Sequence, residues 1–537
     1  MRSSRRVLTN VLMLSLLAAT LGASAASAQF FDPVIRALDL TNDVPRSPRL
    51  LGLGGLSLVI PDRDRRITLW DFAGNPTGVF ADDSLSSLEI RPSTGSVSGV
   101  HNLPGTRIRQ DLAGRVSGLQ MEAFHRDDQG SAFGAVVQAN SARRDVPSAD
   151  DTELRRTVGL PEFMPIFNGP LPYFGHGKIR YAVRMRFGGE HLLDEFRTIA
   201  SNPAGEFISL DGQAVRAPNS FTPDKYSASK SGVGGALSYP IGKSTVLALG
   251  LDALQEKIKG VKNGQRYEAE QNEKRPFGIG QATLIGHVGR SLEYGVDGRA
   301  WTSRSEQDWF YTISAGVGAF PLSGRGKLQE RSEKGSTLNS RVRWTSGRIE
   351  LGGQLWTGAS KVSFTPPAAG DPTSLNHFLS SIYYRQGIDT LALPDSVIVN
   401  ESRDYAWGYA AGASWKFARG VLGAEWHWSR DVFQQVVGGV GPRRIGWDIR
   451  SGVEYRCNPV LTGRLGYGFR RLDEDDFTRQ NEFKGQSVSM GMGIHPAGTS
   501  WNLEAGYELE FRSSDFGDPT QRRSNRQQLA SQIHWGF

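Results

Sequence analysis

The chain has 537 residues, a formal net charge of +7 and a single cysteine, Cys457. One cysteine forms no intramolecular disulfide, which excludes a small stapled secreted scaffold and leaves Cys457 to be read as inert packing. The charge is mild and scattered, which argues against nucleic acid as a partner, and the 64 glycines follow no Gly-X-Y period of a collagen-like fibre.

Residues 1–28 carry a basic start (Arg2, Arg5, Arg6), an apolar run over 11–21 and the small-residue stretch Ala26-Ser27-Ala28, the pattern of a secretory signal cleaved before Gln29. Removing those three arginines lowers the net charge to +4. The apolar run is shorter than the roughly 20 residues a membrane-spanning helix needs, and no later stretch approaches that length. An exported protein without a transmembrane helix is therefore expected.

Residues 29–84 read as a compact, turn-rich segment. Gly52, Gly54 and Gly55 permit close backbone packing, Pro61-Asp62 reads as a turn and Gly74-Asn75-Pro76 as a second one. The stretch "RLLGLGG" followed by Trp70 and "GNPTG" resembles the opening of the long-chain fatty acid transporter (FadL-like) and PorV-like outer-membrane barrels. Arg49, Leu51, Gly52, Gly54 and Gly55 match its first part, and Trp70, Asn75, Pro76 and Gly78 its second. Thr77 stands where those proteins favour Ala, and Asp71-Phe72-Ala73-Gly74 is inserted between Trp70 and Asn75. The resemblance implies a barrel of about 14 strands whose N-terminal segment folds inward as a plug. The plug residues would be Gly52, Gly54, Gly55, Trp70, Asn75 and Pro76.

From residue 85 to 537 the pattern is alternation, so the expected fold is all-β, a transmembrane antiparallel β-barrel with an even number of strands between 14 and 18. In the first half, candidate strands lie near 85–99, 116–125, 131–143, 179–187, 226–239, 245–254, 278–288, 292–302, 309–320, 338–344 and 349–362. Between them, 191–200 places Leu192, Leu193, Phe196 and Ile199 on one face and predicts a short helix at the barrel rim. Two segments read as apolar external loops. Residues 159–177 contain Phe163, Met164, Phe167 and Phe174, and 374–399 contain Phe378 and Tyr383, a candidate entrance for a hydrophobic ligand.

The second half alternates more strictly. Seven segments near 405–417, 422–428, 445–455, 461–469, 488–494, 501–511 and 529–537 set aromatic and aliphatic residues on one face and charged residues or glycine on the other. In the 501–511 segment, Trp501, Leu503, Tyr507, Leu509 and Phe511 oppose Glu504, Gly506, Glu508 and Glu510. The apolar faces are read as lipid-facing, and charged lumen residues such as Arg450, Glu454, Arg464, Arg470, Glu504 and Glu508 are expected to pair across the interior. Connections at 418–420, 457–460 and 496–499 are short, whereas those at 431–443, 471–481 and 513–525 read as longer external loops.

The last segment, with Leu529, Ile533, Trp535 and a terminal Phe537, reads as the closing strand, because a barrel in hydrocarbon leaves no edge unpaired. It also resembles the terminal signal read by the outer-membrane barrel-assembly machinery. His427 and Ser429 fall on one polar face in a spacing that resembles outer-membrane phospholipase A, but that pair faces lipid, a side taken here by Trp426 and Trp428. No orienting Asn or Asp accompanies them, so no catalytic residue is assigned and the chain is not read as an enzyme. No metal or cofactor motif is present in the sequence.

The expectation is thus a protein of the outer membrane of a Gram-negative-type envelope, in contact with its lipid and lipopolysaccharide and with the assembly machinery. Its function is expected to be passive uptake of a hydrophobic small molecule of the fatty acid or aromatic class. A PorV-like component of a secretion or surface-attachment system and a general porin are the alternatives.

Overall fold

In a computed structural model, residues 47–60, 86–102, 109–128, 130–147, 152–171, 178–194, 206–208, 214–216, 225–242, 244–263, 267–313, 322–365, 367, 371–373, 401–435, 439–476, 479–515 and 521–536 are described. The expected signal segment, Trp70, Asn75, Pro76, Phe174, Phe378, Tyr383 and Phe537 lie outside them.

Among the described residues one short helix, α1 (Pro48–Gly52), precedes the strands β1 (Ser87–Asn102), β2 (Arg109–Arg126), β3 (Ala132–Pro147), β4 (Thr152–Pro170) and β5 (Arg180–Asp194). A small two-stranded sheet follows, β6 (Glu206–Ile208) with β7 (Ala214–Arg216), and then β8 (Lys225–Ile241), β9 (Thr245–Asn263), β10 (Tyr267–Val288), β11 (Leu292–Ile313), β12 (Leu322–Ser346) and β13 (Ile349–Thr365). The chain ends with β14 (Glu401–Phe417), β15 (Gly420–Gln435), β16 (Gly439–Arg456), β17 (Leu461–Asp476), β18 (Arg479–Ile494), β19 (Trp501–Asp515) and β20 (Gln521–Gly536).

Apart from β6 and β7, every strand pairs antiparallel with its neighbour in the chain, β5 pairing with β8, and β1 pairs with β20. The result is a closed barrel of 18 strands, at the upper bound of the expected range and above the 14 that the resemblance implies. Leu88 faces Trp535 and Ile90 faces Ile533 across the seam, so the terminal strand closes the sheet.

The sidedness of the barrel is inverted relative to a water-soluble protein. Leu251, Leu355 and Leu465 are 74%, 62% and 59% exposed on the outer face, while Glu425, Glu454 and Arg184 are 2%, 1% and 2% exposed on the inner one. Leu529, Ile533 and Trp535 belong to the outer face. Apolar outside and charged inside is the arrangement of a barrel that crosses a membrane, and no described helix is long and apolar enough to do so.

Several expectations need correction. Residues 159–170 are not an external loop but part of β4, so Phe163, Met164 and Phe167 sit in the barrel wall. The strand was hidden because both of its faces are apolar and because Pro161, Pro165 and Pro170 read as loop. The ladder does slip at Pro161, between Leu160 and Phe163, where a residue without an N–H cannot donate. Residues 309–313 are the end of β11, not the start of a separate strand. His191–Asp194 extend β5 instead of opening a helix, and 195–200 lie outside the described residues. Cys457 is exposed at a turn, not packed.

The long loops of the second half also shrink, because the strands run on: β15 reaches Gln435 and β16 starts at Gly439. The β10, β11 and β12 strands have 22, 22 and 25 residues, about twice what a membrane crossing requires. Their outer faces change from Val296, Leu338 and Val342 near one end to the ion pairs Arg304–Glu330 and Lys327–Glu306 toward the other. The hydrogen-bonded wall therefore continues into water beyond the apolar band.

Candidate functional site

At one rim β1 begins, β20 ends and the connections are tight turns such as 289–291, 347–348 and 418–419. Inside that rim lies the segment 47–60. Ser47 caps α1 by accepting the Leu50 N–H at 3.2 Å, and Pro48 fits the first turn because its missing donor is not needed there. Gly54 and Gly55 reverse the chain with φ of +70° and +81°, and the Gly55 N–H closes on the Leu50 carbonyl at 2.8 Å. Leu51 and Leu53 before this reversal and Leu56, Val59 and Ile60 after it are fully buried or nearly so.

The seat for this segment is made of glycine. Gly352, Gly412, Gly423, Gly452, Gly466, Gly491 and Gly506 lie on the polar faces of seven consecutive strands, β13 to β19. In the ladder, Gly352 faces Gly412, Gly452 lies between Gly423 and Gly466, and Gly491 faces Gly506. A Cβ at Gly466 would stand 2.2 Å from the Gly54 nitrogen, one at Gly506 2.1 Å from the Pro48 carbonyl oxygen, and one at Gly452 2.6 Å from the Leu53 carbonyl oxygen. On the segment side, a Cβ at Gly52 would meet the Gly491 Cα at 2.8 Å. Backbone rests directly on backbone, which only glycine allows.

Charged groups fasten the seat. The Arg49 guanidinium forks onto Glu454, Nε to Oε2 at 2.7 Å and Nη2 to Oε1 at 3.2 Å, while Arg464 Nε donates to the same Oε2 at 2.8 Å. Arg464 also engages both oxygens of Glu504, whose Oε1 lies 3.1 Å from His495 Nε2. Glu425 accepts three successive backbone N–H groups, from Ser57 at 3.2 Å, Leu58 at 2.6 Å and Val59 at 2.9 Å. His427 Nε2 sits 3.1 Å from the Glu425 carboxylate, so this histidine is engaged in the seat. Ser414 donates to the Val59 carbonyl at 3.0 Å and Arg450 to that of Gly55 at 3.1 Å.

Across the lumen the wall has another character. Around the ring, β5 and β16 lie nine strands apart in either direction, so they face each other. On the β5 side, Val136, Met164, Ile166, Ala182 and Ala236 form an apolar cluster with Phe124 against it. Val136, Met164 and Ile166 are at most 2% exposed, so the cluster is covered in this state. It is flanked by Arg184, which forks onto Asp252 at 3.0 and 2.6 Å, with Gln281 donating to the same carboxylate at 2.6 Å. Below the seated segment, a cavity of about 710 Å³ opens at the tight-turn rim, bordered by Arg49, Ile60, Lys416, Phe417, Arg419 and Arg456.

The structure thus separates residues that the sequence grouped. Met164 joins the inner cluster, Phe167 is 42% exposed on the outer face, and Phe163 faces Phe187, itself 47% exposed. Arg49 and Glu425 were not anticipated as fasteners. The available signal was glycine recurring opposite the aromatic faces of the C-terminal strands.

No family model matches the chain, and no curated protein matches it in sequence. Among solved structures it is similar in chain path to the unliganded ferric citrate transporter FecA, at 8% identity, 84% of this chain, 79% of that one and a TM-score of 0.42. The toluene transporter TbuX of Ralstonia pickettii follows at 10% identity, 92% and 98% coverage and a TM-score of 0.37. A FadL homologue of Pseudomonas aeruginosa stands at 12% identity, 90% and 100% coverage and 0.31. At such identity no residue role passes from them to this chain.

Proposed function

We propose that this protein is an outer-membrane barrel for passive uptake of a small hydrophobic molecule, with the segment 47–60 held as a fixed plug at the periplasmic end of its lumen. Tight turns mark the periplasmic side of such barrels, which orients the molecule with the start of β1 and the end of β20 inward. The observation that carries the reading is the apolar cluster of Val136, Met164, Ile166 and Ala182 on an inner wall that is otherwise charged. A water-filled porin has no use for an apolar inner wall, whereas a hydrophobe gains free energy from every apolar contact on its way.

The plug is fastened on the wall of β13 to β19, so the passage runs along the opposite wall, past the cluster. Solute movement there uncovers Met164 and Ile166 and leaves Arg49 and Glu425 in place. Fatty acids and aromatic hydrocarbons are the two cargo classes that suit such a path.

The test pairs transport with conductance. Purified protein in a planar bilayer should show small or no ion conductance, and proteoliposomes should take up a fluorescent fatty acid or a small aromatic. Replacing Met164 and Ile166 with Asp should abolish that uptake while the folded, heat-modifiable gel band persists. Large, steady ion conductance would identify a general porin instead, and copurification of a stoichiometric protein partner without uptake would favour a secretion component.

A further inference from the structure

The tight-turn rim carries a feature that the fastening of the plug does not use. Arg290 lies in the turn between β10 and β11, Arg348 in that between β12 and β13, Arg419 in that between β14 and β15, and Arg456 at the end of β16. All four are exposed, Arg419 and Arg456 at the border of the cavity beneath the seated segment and Arg290 and Arg348 away from it, and none pairs with a carboxylate among the described residues. The connecting residues 289–291, 347–348, 418–419 and 457–460 contain no Asp or Glu, whereas the turn between β2 and β3 carries Asp127 and Asp128. Lys178 and Lys243 stand in the two preceding turns of this rim, but the arginines belong to the sector from β10 to β17.

That sector is held in fixed register. The Thr345 N–H donates to the Ser291 carbonyl, Lys416 to Arg348 and Arg456 to Arg419, each at 2.7 Å, so every arginine-bearing turn is tied to the next hairpin. Successive turns stand two strand widths apart, roughly 10 Å. Directly outward from them, Trp344, Trp415 and Tyr455 are 41%, 50% and 44% exposed on the lipid-facing side, where aromatic residues mark the membrane interface. The arginines thus stand at the headgroup level of the inner leaflet.

We propose that this rim, from β10 to β17, binds the phosphodiester headgroups of anionic phospholipid in the periplasmic leaflet. A row of unpaired guanidiniums beside an aromatic belt complements a phosphate above an acyl chain, and guanidinium recognises phosphate oxygens by paired hydrogen bonds. The assignment depends on the orientation of the barrel and not on its cargo, so uptake and lipid binding stand or fall separately.

The experiment uses full-length protein in bilayers of phosphatidylcholine containing a small fraction of spin-labelled phosphatidylglycerol or, in parallel, spin-labelled phosphatidylcholine. The motionally restricted fraction should be severalfold enriched in phosphatidylglycerol and should fall with added salt. The variant carrying Arg290→Gln, Arg348→Gln, Arg419→Gln and Arg456→Gln should lose the enrichment and keep its heat-modifiable band. A control with Arg304→Gln and Lys327→Gln, at the far end of the barrel, should keep it. If the fourfold variant does not assemble, the Arg290→Gln, Arg348→Gln pair and the salt dependence of the parent decide. Equal restriction of the two lipids, enrichment that survives the arginine changes, or photocrosslinking from position 419 in intact envelopes that yields a protein adduct and no lipid would overturn the proposal.

Discussion

The wall formed by β13 to β19 and the wall formed by β3 to β8 are built from the same ladder but filled in opposite ways. The first presents glycines and charged residues to a segment of the same chain, and the carboxylates that meet that segment, Glu425 and Glu454, are hydrogen-bonded to it. The second presents small and branched apolar side chains to the lumen. A wall that docks protein backbone needs glycine for approach and charge for fastening. A wall that faces a nonpolar solute needs neither. Under the proposed uptake, the difference gives one side to structure and the other to passage, and it is open to direct attack.

The largest effect should come from filling the glycine seat. Gly466→Val would drive a side chain into the Gly54 nitrogen and the Leu53 carbonyl carbon, which lie 2.2 and 2.4 Å from the nearest possible Cβ. Either the segment leaves or the barrel fails to assemble, a loss of more than about 4 kcal/mol, the range of severe overpacking with broken buried contacts. Protease cleavage near residue 50 of assembled protein, together with increased ion conductance, would report an emptied seat. Gly278→Val is the control, because nothing lies within 4 Å of the site of its Cβ. Equal damage from both would dissolve the distinction between the walls.

Next in size is Glu454→Gln. Arg49 and Arg464 both lean on this carboxylate; Arg464 keeps Glu504, but removing the charge breaks the buried fork from Arg49 at a cost of about 3 to 5 kcal/mol. The fall should be seen as a lower temperature for loss of the compact gel band. On the protruding wall, Glu330→Gln breaks the exposed Arg304 pair and should leave that temperature unchanged.

A third, smaller effect concerns the outer face. Leu529→Arg should cost about 2 to 4 kcal/mol if it stands near the bilayer midplane, since that side chain is exposed to lipid. Gln528→Arg turns inward beside Glu508, its partner in the ladder, and should be tolerated. Assembly yield in the outer membrane measures both. Matching losses would mean that the faces are assigned the wrong way round.

These comparisons also explain what was legible in the sequence. Where one face is apolar and the other charged, as in β16 and β19, strand, face and membrane are read together. In β4 both faces are apolar, with Phe163 and Phe167 outward and Met164 and Ile166 inward, so alternation vanishes and the strand passes for a loop. Strand ends were misplaced for a related reason. Periodicity reports the lipid band, whereas the hydrogen-bonded ladder of β10 to β12 continues into water, where both faces are polar. Lumen pairing was legible in part: Arg464 does bridge Glu454 and Glu504. Its third member, Arg49, comes from a segment 405 residues away from Glu454 and has no periodic signature.

The finest test lies inside β4, where adjacent residues belong to different environments. Phe163 stands on the outer face opposite Phe187, and Met164, the next residue, belongs to the inner apolar cluster. If that cluster is the path of a hydrophobic solute, Met164→Ser removes apolar contact from the path. It should slow uptake about tenfold, the equivalent of 1.4 kcal/mol and slightly less than the full worth of a buried methionine. Ion conductance should stay as in the parent, because a seat fastened on the opposite wall is untouched. Phe163→Ser exchanges lipid contact for a small hydroxyl and should lower assembly yield modestly while each assembled barrel transports at the parental rate. Uptake per assembled barrel is the deciding quantity. If it drops for Phe163→Ser and holds for Met164→Ser, the solute travels along the outer face, and the inner cluster is packing alone.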